Sequence, residues 1–184
     1  MLKIGTAKVS EIPETNMTMI ITPTSDAQLD QVRQMMRAFI AWHRQRHLED
    51  IHLIDQYFDS AAFEEELALL PGKYSPPRGR LLLAVHDGEP AGCVALREID
   101  ALSCEMKRMF VYPHLHGNGI GLALARAIIR EAREIGYRSM LLDTSVRQKE
   151  AKNLYQRLGF KTIEPYYELP DELRDWLAFM ELKL

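Results

Sequence analysis

Gly117, Gly119 and Gly121 alternate with Asn118 and Ile120 in a short run whose two flanks differ. Before it, CEMKRMFV (104–111) has the apolar, β-type composition of a strand that ends against Pro113. After it, Ile120, Leu124, Ala127, Ile128, Ala132 and Ile135 recur at helical spacing, and Gly136 supplies a C-cap. A strand that passes through a glycine-rich turn into a helix builds an anion site. The first helical turn has N–H groups with no acceptor, the helix dipole adds positive charge, and missing side chains let a phosphate approach. The main-chain donors from Gly117 to Leu122 are therefore expected to cradle a diphosphate.

Two other phosphate loops fail on spacing. A Walker A loop needs Lys and Ser/Thr after its last glycine, and Leu122 follows Gly121. A dinucleotide fingerprint needs its third glycine at position 122 or 124, and leucine stands at both. What remains, V-Y-P-H-L-H-G-N-G-I-G from Val111 to Gly121, resembles the pyrophosphate loop [QR]-x-x-G-x-[GA] of the GNAT superfamily of N-acetyltransferases. Gly119 and Gly121 fall on its two glycine positions, and His116 stands where Gln or Arg is usual. A second signature, N-x-x-A-x-x-L-Y-x-x-L-G-F, is matched by Q-K-E-A-K-N-L-Y-Q-R-L-G-F from Gln148 to Phe160, with Gln148 in place of Asn. Residues 1–80 match the family only in the order of helix and strand.

The resemblance implies a set of roles. Met109, Phe110 and Val111 would pair their main chain with the pantetheine arm of acetyl-CoA. His116, Gly117, Asn118, Gly119, Ile120, Gly121, Leu122 and Gln148 complete the expected cofactor-binding set. Tyr155 matches the tyrosine that protonates the departing CoA thiolate, although its place on the apolar stripe of Ala151, Leu154 and Leu158 also suits a core residue. An amine must lose a proton before it attacks a thioester, and a carboxylate, directly or through water, is the natural acceptor. Glu105, placed on the same face as Met109 by two-residue alternation, and Asp143, near the end of the next strand, are the two candidates. Either would also serve as an ordinary solvated or salt-bridged strand residue.

Other chemistry-bearing residues have plainer readings. Ser145-x-x-Gln148 has the form of a capping box, and Arg147 and Lys152 suit an exposed helix face as well as a CoA phosphate. His43 and His47 have the spacing of zinc ligands on a helix but lack a third partner, so no metal is expected. Tyr166, Tyr167, Trp176 and Phe179 read as core, with the acceptor pocket as the alternative. Neither Cys93 nor Cys104 has a histidine-based activation pattern, which favours direct attack by the amine over a covalent intermediate.

The elements that position these residues follow from periodicity. MTMIIT (17–22) is a short strand, and Ser25 with Gln28 opens a helix carrying Leu29, Val32, Met36, Phe39, Ile40 and His43. A second helix has Phe63, Leu67 and Leu70 as its stripe and stops at Pro71-Gly72, and GKYSPPRGR is a loop. LLLAVH (81–86) and AGCVALR (91–97) form a hairpin about Asp87-Gly88. SMLLDT (139–144) is the strand after the glycine-capped helix. A further helix ends at Gly159 in a Schellman arrangement, and strands KTIEPYY and WLAFMELKL flank the loop ELPDELRD. This pattern predicts an α/β (α+β) chain with a mixed sheet, antiparallel in its N-terminal part and with one strand-helix-strand crossover at its centre; the resemblance implies the GNAT acyl-CoA N-acyltransferase fold, a mixed, mostly antiparallel sheet flanked by helices.

Composition sets the outer limits. A chain of 184 residues suits one domain, 1–184. A net charge of -3 offers no basic field for nucleic acid, and two cysteines make no disulfide framework. The N-terminal residues hold no apolar run long enough for a signal peptide, so no membrane partner and a cytoplasmic location are expected, with a homodimer allowed. Within these limits the resemblance implies an enzyme that moves acetyl from acetyl-CoA to an amine of a small molecule or protein. The alternative from another class is a non-catalytic sensor of acyl-CoA.

Overall fold

The structure, a computed structural model, describes residues 17–184; the reading of the segment before Met17 lies outside the described residues. Among the described residues seven strands form one sheet: β1 (Thr18–Ile21), β2 (Arg80–His86), β3 (Glu89–Glu98), β4 (Ser103–Val111), β5 (Ser139–Ser145), β6 (Lys161–Ile163) and β7 (Leu177–Lys183). Their spatial order is β1-β2-β3-β4-β5-β7-β6, and only β4 with β5 runs parallel. The mixed, mostly antiparallel sheet expected from the sequence is present. The β2–β3 hairpin closes through Asp87 and Gly88, both at positive φ, as a two-residue turn between twisted strands requires.

Helices cover both faces. On one side lies α4 (Ile120–Ile135), whose Leu124 and Ile128 pack on Leu82, Val94, Met106 and Met140. Beside it α5 (Lys149–Arg157) ends in a Schellman motif, Phe160 N–H bonding Tyr155 O at 3.0 Å. On the other side α1 (Asp26–Arg46), α2 (Ile51–Tyr57) and α3 (Ser60–Ala68) bury Val32, Met35, Ile54 and Leu67 against Leu81, Leu83, Cys93 and Phe110. The Ser25–Gln28 capping box that opens α1 is formed in both directions.

Three local expectations are corrected. α2 is an additional helix, seven residues long and too short to show a helical period. Of KTIEPYY only Lys161–Ile163 is strand, and the loop after it contains α6 (Asp171–Trp176). Ser145 and Gln148 make no capping box: Ser145 ends β5 and its Oγ accepts from Arg147 N–H, while Gln148 is itself the N-cap residue of α5 and gives no side-chain cap.

Candidate active site

Strands β4 and β5 pair from Ser103↔Ser139 to Glu105↔Leu141 and then part. Among the described residues, beyond Glu105 β4 keeps only β3 and β5 keeps only β7, so the edge of β4 from Met106 to Val111 that faces β5 has no strand partner there. A bulge follows the point of divergence. Arg108 adopts φ 56°, and β3 register passes from Cys93↔Phe110 to Ala95↔Lys107, leaving Val94 opposite two residues. A left-handed Arg costs roughly 1–2 kcal/mol. Its guanidinium is offset by a bidentate pair with Glu66 at 2.8 and 2.9 Å and by lying over the rings of Phe58 and Phe63. Gly92 allows the same close approach, since a Cβ there would meet Phe110 O at 2.5 Å.

The bulge corrects the alternation that placed Glu105 on the face of Met109. Met106, Met109 and Val111 pack with the α4 core, whereas Phe110 packs with the α1–α3 core and Glu105 bonds Tyr166 on that side. One extra residue reverses the parity of everything after it.

At the mouth of α4 the chain turns through Gly117 (φ 91°) and Gly119 (φ 76°), conformations that side-chain-bearing residues rarely adopt. The N–H groups of Gly117, Gly119, Ile120, Gly121 and Leu122 find no hydrogen-bond partner among the described residues. The side chains of this loop hold its shape. His116 Nε2 lies 2.9 Å from Val111 O, and the Asn118 amide donates to Leu115 O. His116 thus reaches back to the strand end, which needs no Gln or Arg. Coenzyme A fits this surface on the structure's own terms: unpaired donors at a helix mouth suit its diphosphate, and the unpaired edge of β4 suits its amide-bearing arm.

Between the parted strands is a cleft of about 60 Å³ lined by Tyr155, Met109, His43, Gln148, Lys107 and Asp143, among others. The Tyr155 hydroxyl sits 3.6 Å from Met109 Sδ. Burial, with the charge of Asp143 in second place, raises its pKa well above that of free tyrosine. His43 is held to about 4 by burial and by the neighbouring His47 and Arg46, so its imidazole is neutral, and its Nε2 meets the side-chain amide of Gln148. Among the described residues no group of three or more His, Cys, Asp or Glu is placed to hold a metal ion.

The floor of the cleft is a network of charges. Asp143 accepts from Tyr57 OH at 2.5 Å, Tyr167 OH at 2.6 Å, and Lys107 Nζ at 3.0 and 3.2 Å. Burial pushes its pKa up, but the Lys107 ammonium and the two phenols outweigh it and hold the carboxyl below the usual range. Glu105, fully buried, is bonded by Arg97 at 2.5 Å and Tyr166 at 2.6 Å, with Lys107 at 3.4 Å, and does not line the cleft.

Sequence reasoning read Tyr166 and Tyr167 as core; their rings pack on Phe179 while their hydroxyls pair the two carboxylates. It missed Tyr57, Lys107 and the Arg108–Glu66 pair altogether. Asp50 was also missed; it accepts from Trp176 Nε1 at 3.0 Å and from Arg147, tying the start of α2 to the end of α6 and to the β5–α5 turn. Tyr57 meets Asp143 across 86 residues of chain, and no local spacing signals such a contact.

The sequence matches the family described as "Acetyltransferase (GNAT) family" over residues 48–160. The chain belongs to the GNAT acetyltransferase family. An uncharacterised N-acetyltransferase of Schizosaccharomyces pombe is 42% identical over 109 residues, 58% of this chain and 67% of that protein. An acetyltransferase of Streptococcus agalactiae, 22% identical, superposes with a TM-score of 0.69, covering 91% of this chain and 98% of its own. A PaiA N-acetyltransferase of Thermoplasma acidophilum, solved in complex with coenzyme A, gives 0.70 at 18% identity, covering 91% and 99%. At those identities the two structures show the shared GNAT fold.

Proposed function

We propose that this GNAT protein transfers the acetyl group of acetyl-CoA to an amine of a small molecule or of a protein, by direct attack on the thioester. The observation that carries this reading is the join of two main-chain surfaces, both unpaired among the described residues: five N–H groups at the mouth of α4 and the edge of β4. In this reading Gly117 to Leu122 take the diphosphate, His116 fixes their loop, Met109, Phe110 and Val111 pair with the pantetheine arm, and Gln148 borders the cleft.

The amine nitrogen bonds to the acetyl carbon, the carbon–sulfur bond breaks, and Tyr155 gives its proton to the leaving sulfur and regains one from solvent before the next turnover. With its pKa raised by burial, the phenol is in its protonated form at neutral pH, the form an acid must have. Of the two carboxylates, Asp143 borders the cleft. Its oxygens already accept four hydrogen bonds, so the amine's proton leaves through water on the Asp143 side. A cytoplasmic setting belongs to this reading; among the described residues no helix is long and apolar enough to cross a membrane.

Thiol release from acetyl-CoA across a panel of small amines and peptides tests the proposal. Release that depends on one acceptor class is expected and names the acceptor. Tight CoA binding with no acceptor-dependent release would overturn transfer in favour of acyl-CoA sensing.

A further inference from the structure

The last backbone pair between β4 and β5 is Glu105↔Leu141, and the same register carried two residues further sets Lys107 opposite Asp143. Main-chain pairing has ceased there, yet these two residues remain joined through side chains, Lys107 Nζ lying 3.0 and 3.2 Å from the two carboxylate oxygens. The lysine stem is long enough to cross an opening that backbone groups no longer bridge. Both ends are anchored. Asp143 is held by the Tyr57 and Tyr167 hydroxyls from two other segments, and Lys107 is held by Tyr57 OH at 2.9 Å and by Glu105 at 3.4 Å. The side chains are 14% and 4% exposed, so water does little to loosen the pair.

Two charges fixed from several directions act on strand spacing in both senses. Attraction opposes wider parting, and the bulk of the lysine stem with its braces opposes closure. We infer that the Lys107–Asp143 pair is a spacer that sets the width of the β4–β5 opening, making both positioning residues for the acyl-bearing arm of CoA. This rests on the reading of that opening as the CoA slot. The bulge at Arg108 follows the point where the strands part, and the spacer one residue earlier determines how far.

The test compares the parent with Lys107→Met/Asp143→Asn, which removes both charges together and so avoids stranding one buried ion. CoA binding by calorimetry and turnover of acetyl-, propionyl- and butyryl-CoA are the two readouts. The spacer predicts that the double variant, still melting cooperatively, binds CoA about tenfold more weakly and discriminates less among the three thioesters. Tyr167→Phe keeps both ions and removes one brace; a smaller loss of affinity, about threefold, is expected. CoA affinity within twofold of the parent in both variants, with acyl preference unchanged, would overturn the spacer and leave the pair as charge balance only. Failure of the parent itself to bind CoA would instead overturn the site reading on which the spacer rests.

Discussion

The two parts of the site are built on opposite plans. At the mouth of α4 the ligand-facing groups are main-chain amides without partners among the described residues, and the side chains of His116 and Asn118 bond their own loop. Along the β4–β5 floor the groups are side chains, and Asp143 and Lys107 already have all their hydrogen bonds made within the protein. An open set of donors suits a partner that is always the same, such as a diphosphate. A saturated set of charges is a rigid scaffold, which shapes a reacting centre without competing for the proton being moved.

The contrast is tested most strongly at Tyr155, which lies where the two plans meet. Tyr155→Phe should lower kcat by about a hundredfold while CoA affinity by calorimetry stays within about twofold of the parent. Loss of both together would mean that the phenol holds the ligand and is not the acid. Next in size is the charge scaffold. Glu66, paired with Arg108 and Lys73, is held at about 2 although burial alone would raise it, so its carboxylate stabilises the fold above the ordinary carboxylate range. Glu66→Gln should cost about 2 kcal/mol at neutral pH after allowance for solvent screening. A depressed pKa means that this contribution is lost as pH falls from about 4.5 toward about 2, so urea melts of parent and variant should converge over that window.

The open wall should respond through its backbone. Gly119→Val forces a β-branched residue to φ 76° and should weaken CoA binding by about tenfold with kcat at saturation little changed. His116→Ala is the mildest change: the bond to Val111 O is lost, and affinity should fall by about threefold. A far larger fall would place the imidazole on the ligand itself and erase the distinction between loop bracing and ligand contact.

The same division explains what the sequence disclosed. The α4 loop is legible because its chemistry needs glycines at fixed places next to a strand end and a helix start, all within a dozen residues. The caps at Ser25, Gly136 and Gly159 were legible for the same local reason. Of the floor, Asp143 and Tyr167 were named singly but their joining was not legible, because Tyr57, Lys107, Asp143 and Tyr167 come from four separate segments and meet only when the sheet is assembled. Glu105 was placed on the wrong face because strict alternation has no term for an Arg in left-handed conformation. Helix α2, which brings Tyr57, carries too few turns to show a period.

Arg108's backbone also bears on how this strand can vary over generations. A substitution alters one side chain, but adding or removing a residue between Lys107 and Met109 would exchange the surroundings of everything downstream. Phe110 would be sent toward the α4 core, and Met109 and Val111 toward the helices on the opposite side. Here the strand can drift in composition, but it is closed to drift in length.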